Sequence, residues 1–237
     1  MAEKSSHTGF TLAEVLVTLG IIGVVAAMTI NALIKKYQKY QTAIQLKAAY
    51  ALLGKIVSYS IAENGEPKFW KISLNGKQEY FDTYILPYVP NIQRIKNESA
   101  YTEYKEHAPF GTGWIYYADL TNGLRIIFES WGRSNGLNMT AQCGAQFVVD
   151  LNGKKKPNKW GRDLFRIKLD SVSSQLFFDG LYNSSWKNNT NYSDCSIQYQ
   201  QRSRDAIKQQ CLSDFSRCGA LIYYDNFEIL DDYPWYQ

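Results

Sequence analysis

Residues Gly9 to Ile34 read GFTLAEVLVTLGIIGVVAAMTINALI, an apolar run interrupted by a single acid, Glu14. A helix rises about 1.5 Å per residue, so this stretch extends about 37 Å, more than the ~30 Å hydrocarbon core of a bilayer. A secretory signal has an apolar core of only about 7–15 residues with a small-residue cleavage site behind it. This run is longer, and Ala26-Ala27-Met28 is a poor site of that kind. The preceding MAEKSSHTG also lacks the basic character of an export signal, because Glu3 offsets Lys4. The run therefore predicts a membrane-spanning helix, and a chain that divides its residues between lipid and water. A carboxylate at a bilayer centre costs about 2.5–3.5 kcal/mol, so Glu14 needs a compensating role.

The whole block resembles the N-terminal signature of type IV prepilins and of the pseudopilins of type II secretion. In that family a short polar leader ends in Gly, a prepilin peptidase cuts after it, and the new N-terminal Phe is methylated. A Glu at the fifth residue of the mature chain helps set register as subunits join a filament. The resemblance implies cleavage between Gly9 and Phe10, N-methylation of Phe10 and an assembly role for Glu14. It implies a leader at 1–9, an N-terminal helix at 10–62 that is transmembrane over 10–34, and a globular β-rich head at 63–237. Many members kink this helix with a Pro where the present chain has Asn31, so no kink is expected.

The implied partners are other pilin or pseudopilin subunits, the prepilin peptidase and an inner-membrane assembly platform. The implied location is the bacterial inner membrane with the head extracytoplasmic, and then a periplasmic or cell-surface filament. Lys35, Lys36 and Lys39 follow the apolar run, and a plain positive-inside count would keep the C-terminal part in the cytoplasm. The cleavage motif is the more specific signal, and it favours the opposite orientation. A transmembrane anchor that is never processed is the competing reading.

Helix is expected to continue beyond the membrane to about Ala62. No Pro and only Gly54 interrupt Lys35 to Ala62, and Asn64-Gly65-Glu66-Pro67 then stops it. Tyr37, Tyr40, Ile44, Ala48, Ala51, Leu52, Ile56 and Tyr59 recur at spacings near three and four, predicting the buried face. A short helix is expected from Gln78 to Leu86. Trp114 to Leu120 and Leu124 to Ser130 flank Thr121-Asn122-Gly123, a strong hairpin signal. Further strands are expected at Gln146 to Leu151, Leu164 to Leu169 and Leu221 to Leu230, the last turning at Asp225-Asn226. Asn183 to Ser193 reads as a surface loop, and Arg202 to Cys211 as a short helix. The fold class is α+β: a long helix packed on an antiparallel sheet.

All four cysteines, Cys143, Cys195, Cys211 and Cys218, lie beyond the membrane segment, and an even count there suits two disulfides in an oxidising compartment. Of the three possible pairings, the expected one joins Cys211 to Cys218 across a short loop and Cys143 to Cys195. No C-x2-C pair points to zinc. The 15% aromatic content, with 18 Tyr and 6 Trp, suits a rigid extracytoplasmic head, and the net charge of +4 is too mild to argue nucleic-acid binding.

DLNGKKKPNKWGRDLF, Asp150 to Phe165, and the final Asp-Tyr-Pro-Trp at 232–235 also resemble segments of pilin-like heads. From the residues, the first is a tight turn: Asp150 and Asn152 bond nearby backbone, the glycines relieve φ, and Pro157 stiffens the loop. The resemblance adds a calcium reading for Asp150, Asn152 and Asp163. Calcium takes about 6–8 oxygens, however, and Lys154 to Lys156 stand beside them.

Gly132-Arg133-Ser134-Asn135-Gly136 matches G-x-S-x-G, but no helix pattern follows, and the only histidines, His7 and His107, precede the Ser. No catalytic residue is assigned and no enzyme is expected. Asn-x-Ser/Thr sequons at Asn97, Asn138, Asn183, Asn188 and Asn191 reflect a polar head. Lys154 to Lys156, Lys159 and Arg162 around Trp160 form a basic patch; a solvated loop explains it better than nucleic-acid binding. The function expected is a structural subunit of a pilus-like or type II secretion filament, with a membrane-anchored extracytoplasmic binding module as the alternative.

Overall fold

The computed structural model describes residues 9–70, 76–99, 114–130, 144–153, 155–185 and 198–234. Helix α1, Leu12–Asn64, is continuous. The chain nevertheless divides into two compact units, Met1–Gln41 and Thr42–Gln237, with the division inside α1. In the first unit nearly every apolar side chain of the helix is exposed, so this segment has no core of its own.

The second unit is built on the remainder of α1. Ala43, Leu46, Ala49, Leu53, Ile56, Val57 and Ser60 are its buried residues, a stripe at helical spacing. This corrects the expected face. Ile44 and Tyr59 are 49% and 62% exposed, Ala48 and Ala51 are exposed, Leu52 is half-buried, and Ile56 alone is fully buried; Tyr37 and Tyr40, in the first unit, are exposed. The helix carries two stripes of similar period. The head packs on the one with small Ala43 and Ala49, which admit close approach, while tyrosines can keep a hydroxyl in water. The helix ends as expected. Gly65 has φ +76° and donates its N–H to the Ile61 carbonyl at 2.9 Å, the left-handed stop that Gly permits.

Helix α2, Gly76–Tyr84, follows and packs Phe81 into the core. Six strands then form a sheet in chain order: β1 Ile92–Ser99, β2 Trp114–Leu120, β3 Arg125–Ser130, β4 Gly144–Asp150, β5 Leu164–Asp170 and β6 Leu176–Phe178. Every neighbouring pair is antiparallel. The β2–β3 hairpin turns where expected, with Gly123 at φ +88° and the Asn122 side chain accepting the Leu124 N–H at 3.1 Å. Strand β1 escaped the sequence reading because Gln93, Arg94, Lys96, Asn97 and Glu98 leave it little alternation, as suits a protected sheet edge.

One sheet face presents Phe128, Phe147, Phe165 and Phe178 to the same core as Leu46, Leu53 and Ile56 of α1. The other buries a smaller cluster of Tyr117, Ile127, Val148 and Leu164. Two further strands, β7 Tyr182–Ser185 and β8 Gln198–Gln201, pair separately, so residues 183–185 are strand rather than loop.

Helix α3, Arg204–Ser213, is the expected short helix, capped by the Ser203 side chain. The hairpin expected from Leu221 to Leu230 is not formed. Cys218–Tyr224 is helix α4, and turns follow it, closed by Phe227 N–H to the Ile222 carbonyl at 2.8 Å. A short continuous apolar run does not distinguish strand from buried helix. Here tertiary packing decides. Residues 218–222 are all buried, and a Cβ on Gly219 would come within 2.5 Å of Phe178, so the helix lies directly on the sheet. A disulfide from Cys211 to Cys218 ties α3 to α4, as expected. Cys143 and Cys195 lie outside the described residues.

Candidate functional site

Gly9 and Phe10 precede the first turn of α1, and both are exposed. A Cβ on Gly9 would meet nothing within 4 Å, so nothing in the described chain itself requires Gly there. Thr11 and Glu14 then form a capping box at the helix start. The Thr11 N–H and hydroxyl both donate to Glu14 Oε2 at 2.9 Å, and the Glu14 N–H returns to Thr11 Oγ1 at 3.3 Å. Thr11 was missed in the sequence reading, although T-x-x-E before an apolar run is its signal. In this arrangement the carboxylate is turned back toward the first residues of the helix.

In the head, the loop after β4 is organised around Asp163. Its two oxygens accept from the Asn158 N–H at 2.8 Å, the Lys159 N–H at 2.6 Å and the Asn152 side-chain amide at 3.1 Å. Asp150 Oδ1 accepts the Asn152 N–H at 3.2 Å. Gly153 and Gly161 take φ of +63° and +74°, which their lack of a Cβ permits. Burial pushes the Asp163 carboxyl above the usual range, against the pull of these N–H donors.

Carboxylate oxygens that already face N–H groups turn few acceptors toward a cation. Among the described residues no group of three His, Cys, Asp or Glu is placed to hold a metal. Asp150, Asn152 and Asp163 are thus gathered in one hydrogen-bonded turn. Lys155, Lys156 and Lys159 point to solvent, and Trp160 is half-buried under the Arg166 guanidinium, 4.8 Å from its ring.

Two charge clusters were not foreseen. Asp119 binds Arg94 and the buried Arg125, whose guanidinium lies 4.0 Å over the Tyr117 ring. Burial raises the Asp119 carboxyl, but the hydrogen bonds from Arg125 and Arg94 outweigh it and hold it below the ordinary range. Near the C-terminus, Arg204 binds Asp225 and Asp232, and Lys208 joins Asp232 at 2.9 Å. Those bonds depress Asp232. The adjacent Tyr233 is buried and donates its hydroxyl to the Gly161 carbonyl at 2.6 Å, so the C-terminal motif fastens the 151–163 loop. The G-x-S-x-G segment, His107 and the sequons at Asn138, Asn188 and Asn191 lie outside the described residues. The sequon at Asn97 falls in β1 and that at Asn183 in β7.

Residues 4–30 match the prokaryotic N-terminal methylation motif, the prepilin-type cleavage and methylation signal of type IV pilins and pseudopilins. The motif indicates a pilin- or pseudopilin-like precursor, and in general implies interaction with other pilin subunits and with prepilin peptidase. Its motif and apolar helix are consistent with membrane anchoring. No curated protein and no solved structure matches the chain. Residues 32–236 match a family of unknown function, DUF6613, and since that match covers most of the sequence the chain belongs to this family.

Proposed function

We propose that the chain is cut between Gly9 and Phe10, methylated on the Phe10 amine, and built as a structural subunit into a type IV pilus-like or type II secretion filament. Before assembly it is held in the bacterial inner membrane by α1, with the head extracytoplasmic; afterwards it stands in a periplasmic or cell-surface filament. Its partners are other pilin or pseudopilin subunits, the prepilin peptidase and the assembly platform. Its role is assembly, with no catalytic step.

The observation that carries this reading is a methylation motif on a helix whose apolar side chains up to Ile34 are nearly all exposed. Such side chains suit lipid first and neighbouring helices later. Glu14, bonded to Thr11 in the single chain, would exchange that contact for the methylated amine of Phe10, its own or a neighbour's, pairing a charge that is otherwise expensive in hydrocarbon.

The test is the mass of the mature N-terminus in cells that carry a prepilin peptidase. A methylated Phe10 is expected, and Gly9→Val should leave the leader attached. An intact leader on the wild-type chain would favour the membrane-anchored binding module instead. Normal mature protein from the Gly9→Val chain would remove the basis of the assignment.

A further inference from the structure

The Cys211–Cys218 disulfide is fully buried, but its two sulfurs are covered by different parts of the head. Cys211 shares the buried face of α3 with Ile207. Cys218 begins α4 and lies beneath the 151–163 loop. A Cβ on Gly161 would come within 3.1 Å of Cys218 Cβ and 3.4 Å of its Sγ, so the loop backbone rests directly on that sulfur. Gly161 has φ +74°, and a residue without a side chain is what permits both the conformation and the close approach.

Gly161 is held in place through both of its backbone polar groups. Its N–H donates to the Leu164 carbonyl at 3.1 Å, and its carbonyl accepts the Tyr233 hydroxyl at 2.6 Å. The next residue is pinned as well, since Thr42 donates its hydroxyl to the Arg162 carbonyl at 3.4 Å. Tyr233 follows Asp232, which pairs with Arg204 and Lys208 of α3, each at 2.9 Å. Helix α3 also carries Cys211. The contacts therefore close a ring, from α3 through Asp232, Tyr233, Gly161 and Cys218, and back to α3 through the sulfur–sulfur bond.

The ring is weakest near the chain end. Asp232 and its partners are partly exposed, so their ion pairs contribute little and are screened by salt. Tyr233 is buried, and without its hydroxyl the Gly161 carbonyl would lose its donor. Terminal segments are also where local opening concentrates, ahead of the sheet. Thiol exchange needs such an opening: a thiolate attacks one sulfur, forms a mixed disulfide with it and releases the other sulfur as thiolate. We propose that Asp232 and Tyr233 form a strap that, through Gly161, seals the Cys218 sulfur against small thiols. Local release of the strap makes the bond reducible while the rest of the head stays folded. Attack then falls on Cys218, and Cys211 departs as the thiolate.

The full chain in detergent would be treated with glutathione at about pH 8, where part of a free thiol is ionised. Samples are quenched by alkylation and read at Cys211 and Cys218 by mass spectrometry, over a series of urea concentrations below the unfolding transition. Glutathione should be found on Cys218 and the alkyl group on Cys211. The rate should barely change with urea, because releasing a strap exposes little surface. Tyr233→Phe keeps the ring and removes the hydroxyl, and it should react about tenfold faster. Asp232→Asn should react about two- to threefold faster, a difference that about 1 M salt removes. A wild-type rate that climbs with urea in step with global unfolding overturns the strap, and this reading needs no variant to fold. Equal rates for Tyr233→Phe and wild type overturn it too, and glutathione on Cys211 overturns the seal at Cys218.

Discussion

Along α1 one helix meets two environments. Leu33, near the end of the apolar run, is 68% exposed, whereas Leu46, some three and a half turns later, is fully buried. The residue type is the same, and so is the backbone. What changes is whether the chain folds a sheet over the helix. From Leu46 onward Phe147, Phe165 and Phe178 share a core with it, so the head satisfies its own apolar surface. The first unit does not, and in the proposed function a lipid layer and then other helices cover it. The head is thus stabilised by burial within the chain, while the apolar segment is specified by what it meets outside.

The largest effect expected is on assembly. Glu14→Ala should leave cleavage and membrane insertion intact and reduce filament incorporation by more than about tenfold, since losing one partner of a buried charge pair costs about 3–5 kcal/mol. Counting the variant in sheared filaments against wild type checks this, and equal incorporation would remove the proposed pairing role.

Next comes the contrast between two apolar truncations. Phe165→Ala in the head should cost about 3–5 kcal/mol in denaturant unfolding, because a fully buried ring leaves a cavity. Leu16→Ala in the exposed segment should change head unfolding by less than about 0.5 kcal/mol. Similar losses from both would break the comparison.

The bridge between α3 and α4 supplies a smaller effect. Cys211→Ala with Cys218→Ala should lower stability by about 2–3 kcal/mol, the range for closing so short a loop. Wild-type protein from its native compartment should show no thiol at Cys211 or Cys218 when denatured without reductant. Titratable thiols there would contradict the bridge.

Acid should act least and only on the head. Asp119 and Asp232 are depressed in the folded state, so their contribution is present above the ordinary aspartate value of about 3.9 and is lost as pH falls below it. Asp163 is raised and works in the opposite sense, its burden lifting as it protonates. The melting temperature should fall below about pH 4, and Asp119→Asn should flatten that fall. An unchanged acid limb in the variant would show that the Arg94–Asp119–Arg125 cluster contributes no pH dependence.

What was legible in the sequence was whatever a local pattern forces. Length and apolarity predicted α1, Gly65 and Pro67 its end, Asn122-Gly123 the central hairpin, and Cys211 with Cys218 a short closed loop. Each depends on the geometry of a few neighbouring residues. The Thr11–Glu14 capping box was equally local and could have been read. The buried stripe of α1 was different, because two stripes share one period and only the sheet selects between them. The final apolar run was different for the same reason: its residues suit strand or helix, and the fit of Gly219 against Phe178 with the Cys211 bridge makes it α4.

The sequence by itself determined that this chain has a membrane-length apolar helix with a prepilin-type start, and that a β-rich head follows. Short-range sterics and hydrophobic length are written into consecutive residues. Only the tertiary structure decided which face of α1 the head covers, that Arg94, Asp119 and Arg125 meet across three strands, and that Tyr233 closes over Gly161. It also decided that the basic loop lies beside Thr42. Those contacts join residues far apart in the chain, and their energies depend on burial and distance, which no single stretch of sequence contains.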